Sequence, residues 1–404
     1  MLKRTKYLNK IIANLNNEFI KVITGVRRSG KSVLLMQTKE LILEQENVTE
    51  DNIIYLNFES FANSVYYHDK NALYQYLTEH ALEGQKNYFI FDEIQLVDDW
   101  QIIVNSLRVD FDADIYLTGS NASILSGELA TLLSGRYIKI DMMPLSFKEY
   151  LEMQNLDEVQ QRDAAYRLYG DFRYIGGMPS VVNIDDTEFE KINDLSDIYD
   201  SILLRDVSSR ANDKNTVIIR TIALLLMDSI SSEVNVTKLN NRLNHAGFNL
   251  NATSIRNYLD LLEQAYLFYK VGEVNIRGSQ RLRTNDKYYM VDNGLWNSQI
   301  DNRNTNLGNQ LENIVLLELL RRGYDVKYGK IDDKEIDFVA AKRGKREYFQ
   351  VALEMPQNSN REIDNLLEIQ DNYPKTLITG NDLGVRDIQG VAVTPIYEWL
   401  LEND

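Results

Sequence analysis

One octapeptide constrains this 404-residue chain more than any other stretch: Gly25-Val26-Arg27-Arg28-Ser29-Gly30-Lys31-Ser32. It fits the pattern G-x-x-x-x-G-K-[ST] in full. The apolar run FIKVIT (19–24) precedes it, and the amphipathic stretch KSVLLMQTKELILEQ (31–45) follows. A strand, a glycine turn and a helix in that order make a cradle for phosphate. Gly25 and Gly30 let the backbone close around the ligand with its N–H groups turned inward. The helix N-terminus adds a partial positive charge. Lys31 is expected to meet the β- and γ-phosphates as a point charge, and Ser32 to offer its hydroxyl to Mg²⁺. Arg28, Ser29 and Val33 complete the expected nucleotide contacts. Of Arg27 and Arg28, one is expected to face nucleotide and the other an acidic neighbour.

Around this loop, strand-like and helix-like stretches alternate. Strands are expected at NIIYLNF (52–58), NYFIF (87–91), DIYLTGS (114–120) and RYIKIDM (136–142), with helices at 1–17, 71–84 and 99–109. Short apolar strands separated by helices indicate a parallel α/β sheet. Ligands bind at the carboxyl ends of such strands. Asp92 and Glu93 follow the third strand directly, which places Asp92 to hold Mg²⁺ and Glu93 to polarise an attacking water. The next strand ends in Leu117-Thr118-Gly119-Ser120-Asn121. Asn121 or Ser120 either sits between γ-phosphate and water or belongs to a simple turn with Asn121 as a helix cap. Arg136 opens the last strand. It is either an arginine finger, acting in cis or on a neighbouring subunit, or a surface salt bridge.

Composition narrows the chemistry. The chain has no cysteine, which excludes disulfides, thiol nucleophiles and Cys-ligated metal. Its three histidines, His68, His80 and His245, argue against a multi-His metal centre. Oxygen-ligated Mg²⁺ is the expected metal. The N-terminus has no secretory pattern and no stretch reaches membrane-spanning length, so a cytoplasmic protein without membrane contact is expected. A formal charge of −16 argues against binding nucleic acid through the whole surface.

From about residue 146 the pattern turns helical, and residues 150–213 are strongly acidic. Residues 214–290 then read as three helices and two strands, near KVGEVN and KYYMVD, the pattern of a winged helix-turn-helix. This segment carries ten basic and six acidic side chains, a net charge of +4. Its basic residues gather in the expected wing, at Arg277, Arg281, Arg283 and Lys287. The third helix begins with Asn251, Thr253, Ser254, Arg256 and Asn257, a polar start that suits DNA. Packing or oligomerisation is the other use for such a module. Residues 301–404 read as a final α/β unit.

GVRRSGKS, FIFDEIQ, LTGSN, SGRY, PLSFKEYL, YIGGMPSVV, ILLRDV, NATSIRNYLDLLEQAYL, YYMVDNGLWN and the ENIVLLELLRRGYDVKY–EIDFV tail together resemble a known family. It comprises the bacterial and archaeal AAA-type P-loop ATPases of the STAND branch that carry a C-terminal domain of unknown function. The resemblance covers nearly the whole chain. It implies binding of ATP and ADP, slow hydrolysis, and a nucleotide-sensitive placement of the winged helix. It also makes Gly177-Met178-Pro179 a Gly-x-Pro element near the nucleotide in a helical lid.

The tail resembles the core of restriction-endonuclease-like folds. Glu312 and Asp337 stand at the first two acidic positions of such a site. Gln350-Val351-Ala352 stands where Glu-x-Lys is required, and Ala352 cannot replace a lysine. A nuclease-like fold without nuclease activity is expected, with Glu312 and Asp337 as a structural pair. The expected organisation is a P-loop ATPase domain (1–145), a helical lid (146–213), a winged helix-turn-helix (214–300) and a restriction-endonuclease-like α/β domain (301–404). The leading expectation is an Mg²⁺-dependent ATPase switch, possible as a homo-oligomer. The alternative is a DNA-binding protein with ATP as regulator.

Overall fold

The structure is a computed structural model that describes residues 2–125, 133, 135–154, 156, 158–182, 186–211, 215–278, 285–300, 305–354 and 361–402. It divides into two compact units, residues 1–143 with 264–266, and residues 144–263 with 267–404.

The first unit is a five-stranded parallel sheet. Its strands are β1 (Ile20–Thr24), β2 (Ile53–Asn57), β3 (Asn87–Asp92), β4 (Ala113–Gly119) and β5 (Tyr137–Asp141), ordered β2-β3-β4-β1-β5. Both faces are covered. Leu56, Phe89, Phe91, Ile115 and Leu117 pack on one side, with the helices Lys70–His80 and Trp100–Asp110. Ile23, Ile90, Tyr116 and Ile140 pack on the other, with Thr5–Ile12 and Lys31–Leu43. Two-sided burial is why these strands read as unbroken apolar runs. The order is the informative part. β4 is inserted between β1 and β3, so its C-terminal residues lie between the two loops that follow those strands.

In the second unit, helices between Phe147 and Ser201 precede two sheets. A three-stranded sheet pairs β6 (Glu233–Val234), which follows the helix Thr216–Met227, with β9 (Asp286–Met290), and β9 with β7 (Phe268–Val271), both of which follow the helices Val236–His245 and Ala252–Gln264. A seven-stranded mixed sheet runs β14-β15-β13-β12-β11-β10-β8. It contains β8 (Glu273–Asn275), β10 (Asp325–Ile331), β11 (Lys334–Lys342), β12 (Lys345–Ala352), β13 (Lys375–Thr379), β14 (Asp387–Ile388) and β15 (Val391–Pro395). KVGEVN is therefore not one strand. Its first half pairs with β9, and its second half runs parallel to β10 in the other sheet. Gly272 separates the two strands. No helix among the described residues is long and apolar enough to cross a membrane.

Candidate functional site

β1 ends at the glycine loop. Gly25 has φ 147° and Gly30 φ 100°, backbone states that glycine adopts readily. A Cβ on Gly25 would lie 2.0 Å from the carbonyl oxygen of Met142, so this position also needs glycine for space. The loop delivers Lys31 into the site, almost fully buried. Its amine donates to its own loop, to the carbonyls of Gly25 (3.0 Å) and Val26 (3.2 Å), and lies 3.8 Å from Glu93 Oε1. Ser29 is buried, and its hydroxyl has no hydrogen-bond partner among the described residues. A loop whose lysine rests on its own carbonyls, with an orphaned buried hydroxyl beside it, is fitted to a phosphate that would answer both.

β3 contributes Asp92, fully buried at its C-terminal end. The Thr118 hydroxyl donates to Asp92 Oδ1, and the Ser32 hydroxyl also reaches this carboxylate. Burial pushes the Asp92 carboxyl above its ordinary range, opposed by those two hydroxyls. A hydroxyl and a carboxylate oxygen side by side are hard ligands of the kind Mg²⁺ takes. Glu93 follows in the left-handed region, φ 55° and ψ 45°. Its N–H donates to Thr118 Oγ1 at 2.9 Å, and its Oε2 accepts from the N–H of Ser120 at 3.3 Å and from Gln95 Nε2. Ser120 and Asn121 are both buried at the end of β4.

Lys31 and Ser32, Asp92 and Glu93, and the end of β4 thus converge, and Thr118 is the residue sequence reasoning missed. As the inserted strand's threonine it links Asp92 to the backbone of Glu93. Gln95 was also missed, although both lie inside stretches that carry the family resemblance. Of the loop arginines, Arg27 pairs with Glu59 at 2.9 Å, and Arg28 is exposed at φ 65°. Val33 is half-buried in the following helix.

Arg136 requires correction. Its carbonyl accepts from Ile20 N, and Tyr137 pairs with Ile20 at the start of β1. It therefore stands at the amino edge of the parallel strands. The five residues of β1 separate it from the phosphate loop by about 16 Å at about 3.3 Å per residue. It cannot serve as an arginine finger for its own chain.

In the second unit, Gly177 N donates to Asp292 Oδ2 (2.6 Å), and the Gly177 carbonyl accepts from Leu145 N (2.7 Å). These contacts describe a chain reversal held within that unit. Burial pushes the Asp292 carboxyl up to about 6, despite backbone donors at Gly177, Leu295 and Gly294. Arg256 is exposed near the start of Ala252–Gln264, as are Asn251, Thr253 and Asn257. Arg277 is exposed and paired with Asp332. Arg281 and Arg283 lie outside the described residues.

Lys287 also requires correction. It is a buried residue of β9, not an exposed wing residue, because its strand is the middle one of three. Its amine lies 2.6 Å from Glu335 and 3.8 Å from Glu312. Burial works against its charge, and the carboxylates of Glu312 and Glu335 outweigh it, so its pKa is raised. Glu312 accepts from the Tyr289 hydroxyl at 2.6 Å. Asp337 Oδ2 accepts from Val351 N at 2.8 Å. Gln350 accepts from Asp337 N at 3.3 Å and donates to Glu362 at 2.6 Å. Ala352 is packed in the hydrophobic core. Among the described residues, no group of three or more His, Asp or Glu is arranged to hold a metal ion.

Comparison with known proteins agrees with the first unit. Residues 17–151 match the model of a family described as an AAA domain, and residues 166–306 match one described as a domain of unknown function, DUF8612. Residues 17–151 are thus an AAA-type P-loop ATPase domain built on a parallel α/β sheet. An uncharacterized protein of Haemophilus influenzae is 49% identical over 403 residues, covering 100% of this chain and 99% of that one. The uncharacterized protein MJ1544 of Methanocaldococcus jannaschii is 32% identical over 422 residues, covering 99% of this chain and 92% of that one. Among solved structures, the ORC1 protein of Aeropyrum pernix in complex with DNA aligns at 12% identity and a TM-score of 0.31, over 75% of this chain and 93% of that one. AMPPCP-bound DnaA from Aquifex aeolicus aligns at 15% identity and a TM-score of 0.31, over 64% and 87%.

Proposed function

The chain belongs to the family of these Haemophilus influenzae and Methanocaldococcus jannaschii proteins, and from that premise we propose that it is a magnesium-dependent ATPase acting as a nucleotide-controlled switch. The observation that carries this reading is the meeting of Lys31, Ser32, Asp92 and Glu93 around Thr118 at the carboxyl edge of one parallel sheet.

The proposed roles rest on that meeting. Gly25, Arg28, Ser29, Gly30 and Val33 shape the loop that would hold ATP, and Lys31 would leave its own carbonyls for the β- and γ-phosphates. Ser32 and Asp92 would hold Mg²⁺, which when bound neutralises charge that develops on the phosphates. Glu93 takes the proton of the attacking water. Ser120 or Asn121 contacts that water or the γ-phosphate from the end of β4. Arg136 would serve as a finger only toward a neighbouring subunit in a homo-oligomer.

We carry the four-part organisation forward as part of this reading, with a lid at 146–213 that includes Gly177-Met178-Pro179 and a winged helix at 214–300. The restriction-endonuclease-like domain (301–404) is taken as lacking nuclease activity. Its two acidic positions are engaged by Tyr289, Val351 and Lys287, which favours a structural pair. Placement in the STAND branch accords with a switch that turns over slowly. A DNA-binding role with ATP as regulator has one specific support, the exposed Arg256 among Asn251, Thr253 and Asn257. DNA affinity that falls steeply with salt and drops on Arg256→Ala would favour it.

The deciding experiment measures ATP binding and phosphate release for wild type, Lys31→Ala and Glu93→Gln. Lys31→Ala is expected to lose both. Glu93→Gln should bind ATP like wild type and lose about 10²–10⁴-fold in turnover, the scale of general-base catalysis. Two variants that bind and hydrolyse like wild type would overturn the assignment.

A further inference from the structure

We propose that Gln95 is a positioning residue that holds the Glu93 carboxylate in the orientation that hydrolysis needs; this rests on the ATPase reading above. Glu93 occupies the left-handed region, which a non-glycine residue keeps only where its surroundings fix it. Its two carboxylate oxygens have different neighbours. Oε2 accepts from Gln95 Nε2 and from the N–H of Ser120. Oε1 is turned toward the Lys31 amine, 3.8 Å away, and so toward the phosphate loop. One oxygen is tethered and the other is presented to the site.

Gln95 lies in the short 3₁₀ turn Ile94–Leu96, two residues beyond Glu93. A carboxylate only accepts, so the amide must turn its NH₂ end to Glu93. That leaves its oxygen facing Gly119. A Cβ on Gly119 would lie 2.9 Å from Gln95 Oε1, so glycine at the end of β4 makes room for this amide. Gln95 Oε1 is itself buried and has no hydrogen-bond partner among the described residues. A buried acceptor left unanswered costs about 1–3 kcal/mol. Folding alone gives no reason to keep an amide where an apolar side chain would pack without that cost. Aiming Glu93 supplies the reason.

Two variants separate aiming from packing. Gln95→Ala removes the donor and the bulk. Gln95→Glu keeps the shape, removes the donor and sets a second carboxylate beside the first. Steady-state ATP hydrolysis, direct nucleotide binding and thermal melting are measured on the full chain. Both variants are expected to lose about 10²-fold in kcat, the scale of a misplacement of about 1 Å. Gln95→Glu should lose at least as much as Gln95→Ala. KM, nucleotide affinity and melting temperature should stay close to wild type. If Gln95→Glu retains the wild-type kcat, the amide only packs and the proposal falls. If the loss appears in KM and binding rather than kcat, it falls as well. A wild type that releases no phosphate, or a Glu93→Gln that turns over normally, overturns the ATPase reading itself. Normal Gln95 variants beside an inactive Glu93→Gln overturn this inference alone.

Discussion

Two places in the molecule gather a buried lysine and two carboxylates, and they are built to opposite ends. Around Lys31, Asp92 and Glu93, the lysine leans on its own loop's carbonyls and the Ser29 hydroxyl is unanswered. Around Lys287, Glu312 and Asp337, the groups are answered from within, by Glu335, Tyr289 and Val351. Residue types do not separate the two. What separates them is backbone. A glycine loop at the head of a helix leaves N–H groups and space for a ligand. Three strands and a helix carrying bulky side chains fill the second cluster with protein. A lysine between carboxylates becomes a site only where the backbone around it leaves room for a ligand.

Four variants press on that contrast, beginning with the largest effect. Lys287→Ala leaves the buried carboxylates of Glu312 and Asp337 without their cation, which costs about 3–5 kcal/mol for broken buried pairs. Chemical denaturation should show that loss, whereas Lys31→Ala should cost less, about 1–3 kcal/mol, the scale of hydrogen bonds from a charged group. Equal stability losses at the two lysines would break the contrast.

Asp292 comes next. Its carboxyl, pushed from an ordinary 3.8 up to about 6, keeps in the folded state a proton that the unfolded chain has already released. Stability from this group is therefore fully present below about pH 4, and is lost as pH rises toward 6. The loss amounts to about 3 kcal/mol at 1.36 kcal/mol per pH unit. Asp292→Asn should flatten the stability-against-pH curve in that window; an unchanged slope would assign it to other groups.

The smallest effect belongs to Arg277, whose exposed pairing with Asp332 contrasts with the buried pairing of Lys287. Arg277→Ala should alter stability by less than about 1 kcal/mol, the range of surface ion pairs. A larger loss on denaturation would show that burial is not what divides these lysines and arginines.

Much of the first unit was legible because its signals are local. Apolar runs bounded by turns marked β1, β2, β3 and β4 to within a residue or two. The glycine spacing marked the loop, and Asp92-Glu93 was found because a strand of buried residues ends there. The rest depended on which strand lies beside which. Thr118 acquires its role only because β4 separates β1 from β3. Arg136 read as a finger, in cis or toward a neighbour, or as a surface salt bridge, until parallel pairing with β1 set it at the amino edge, away from its own phosphate loop. Lys287 sits in a run of basic residues, and only the pairing of β9 on both sides showed that it is buried. KVGEVN looked like one strand until Gly272 let the chain pass from one sheet to another.

The sequence by itself determined the phosphate loop, the strands on either side of it and the acidic doublet. Each of these is specified by contacts among neighbours in the chain: glycine φ angles, apolar runs and a helix start. The tertiary structure decided the strand order, the edge on which each side chain falls and the neighbour that answers each charge. Those depend on pairings between residues far apart in the chain, as between Lys21 and Tyr116 in β1 and β4 and between Ile20 and Tyr137 in β1 and β5. Hydrogen bonds between strands carry no residue signature of their own, so no local pattern records them.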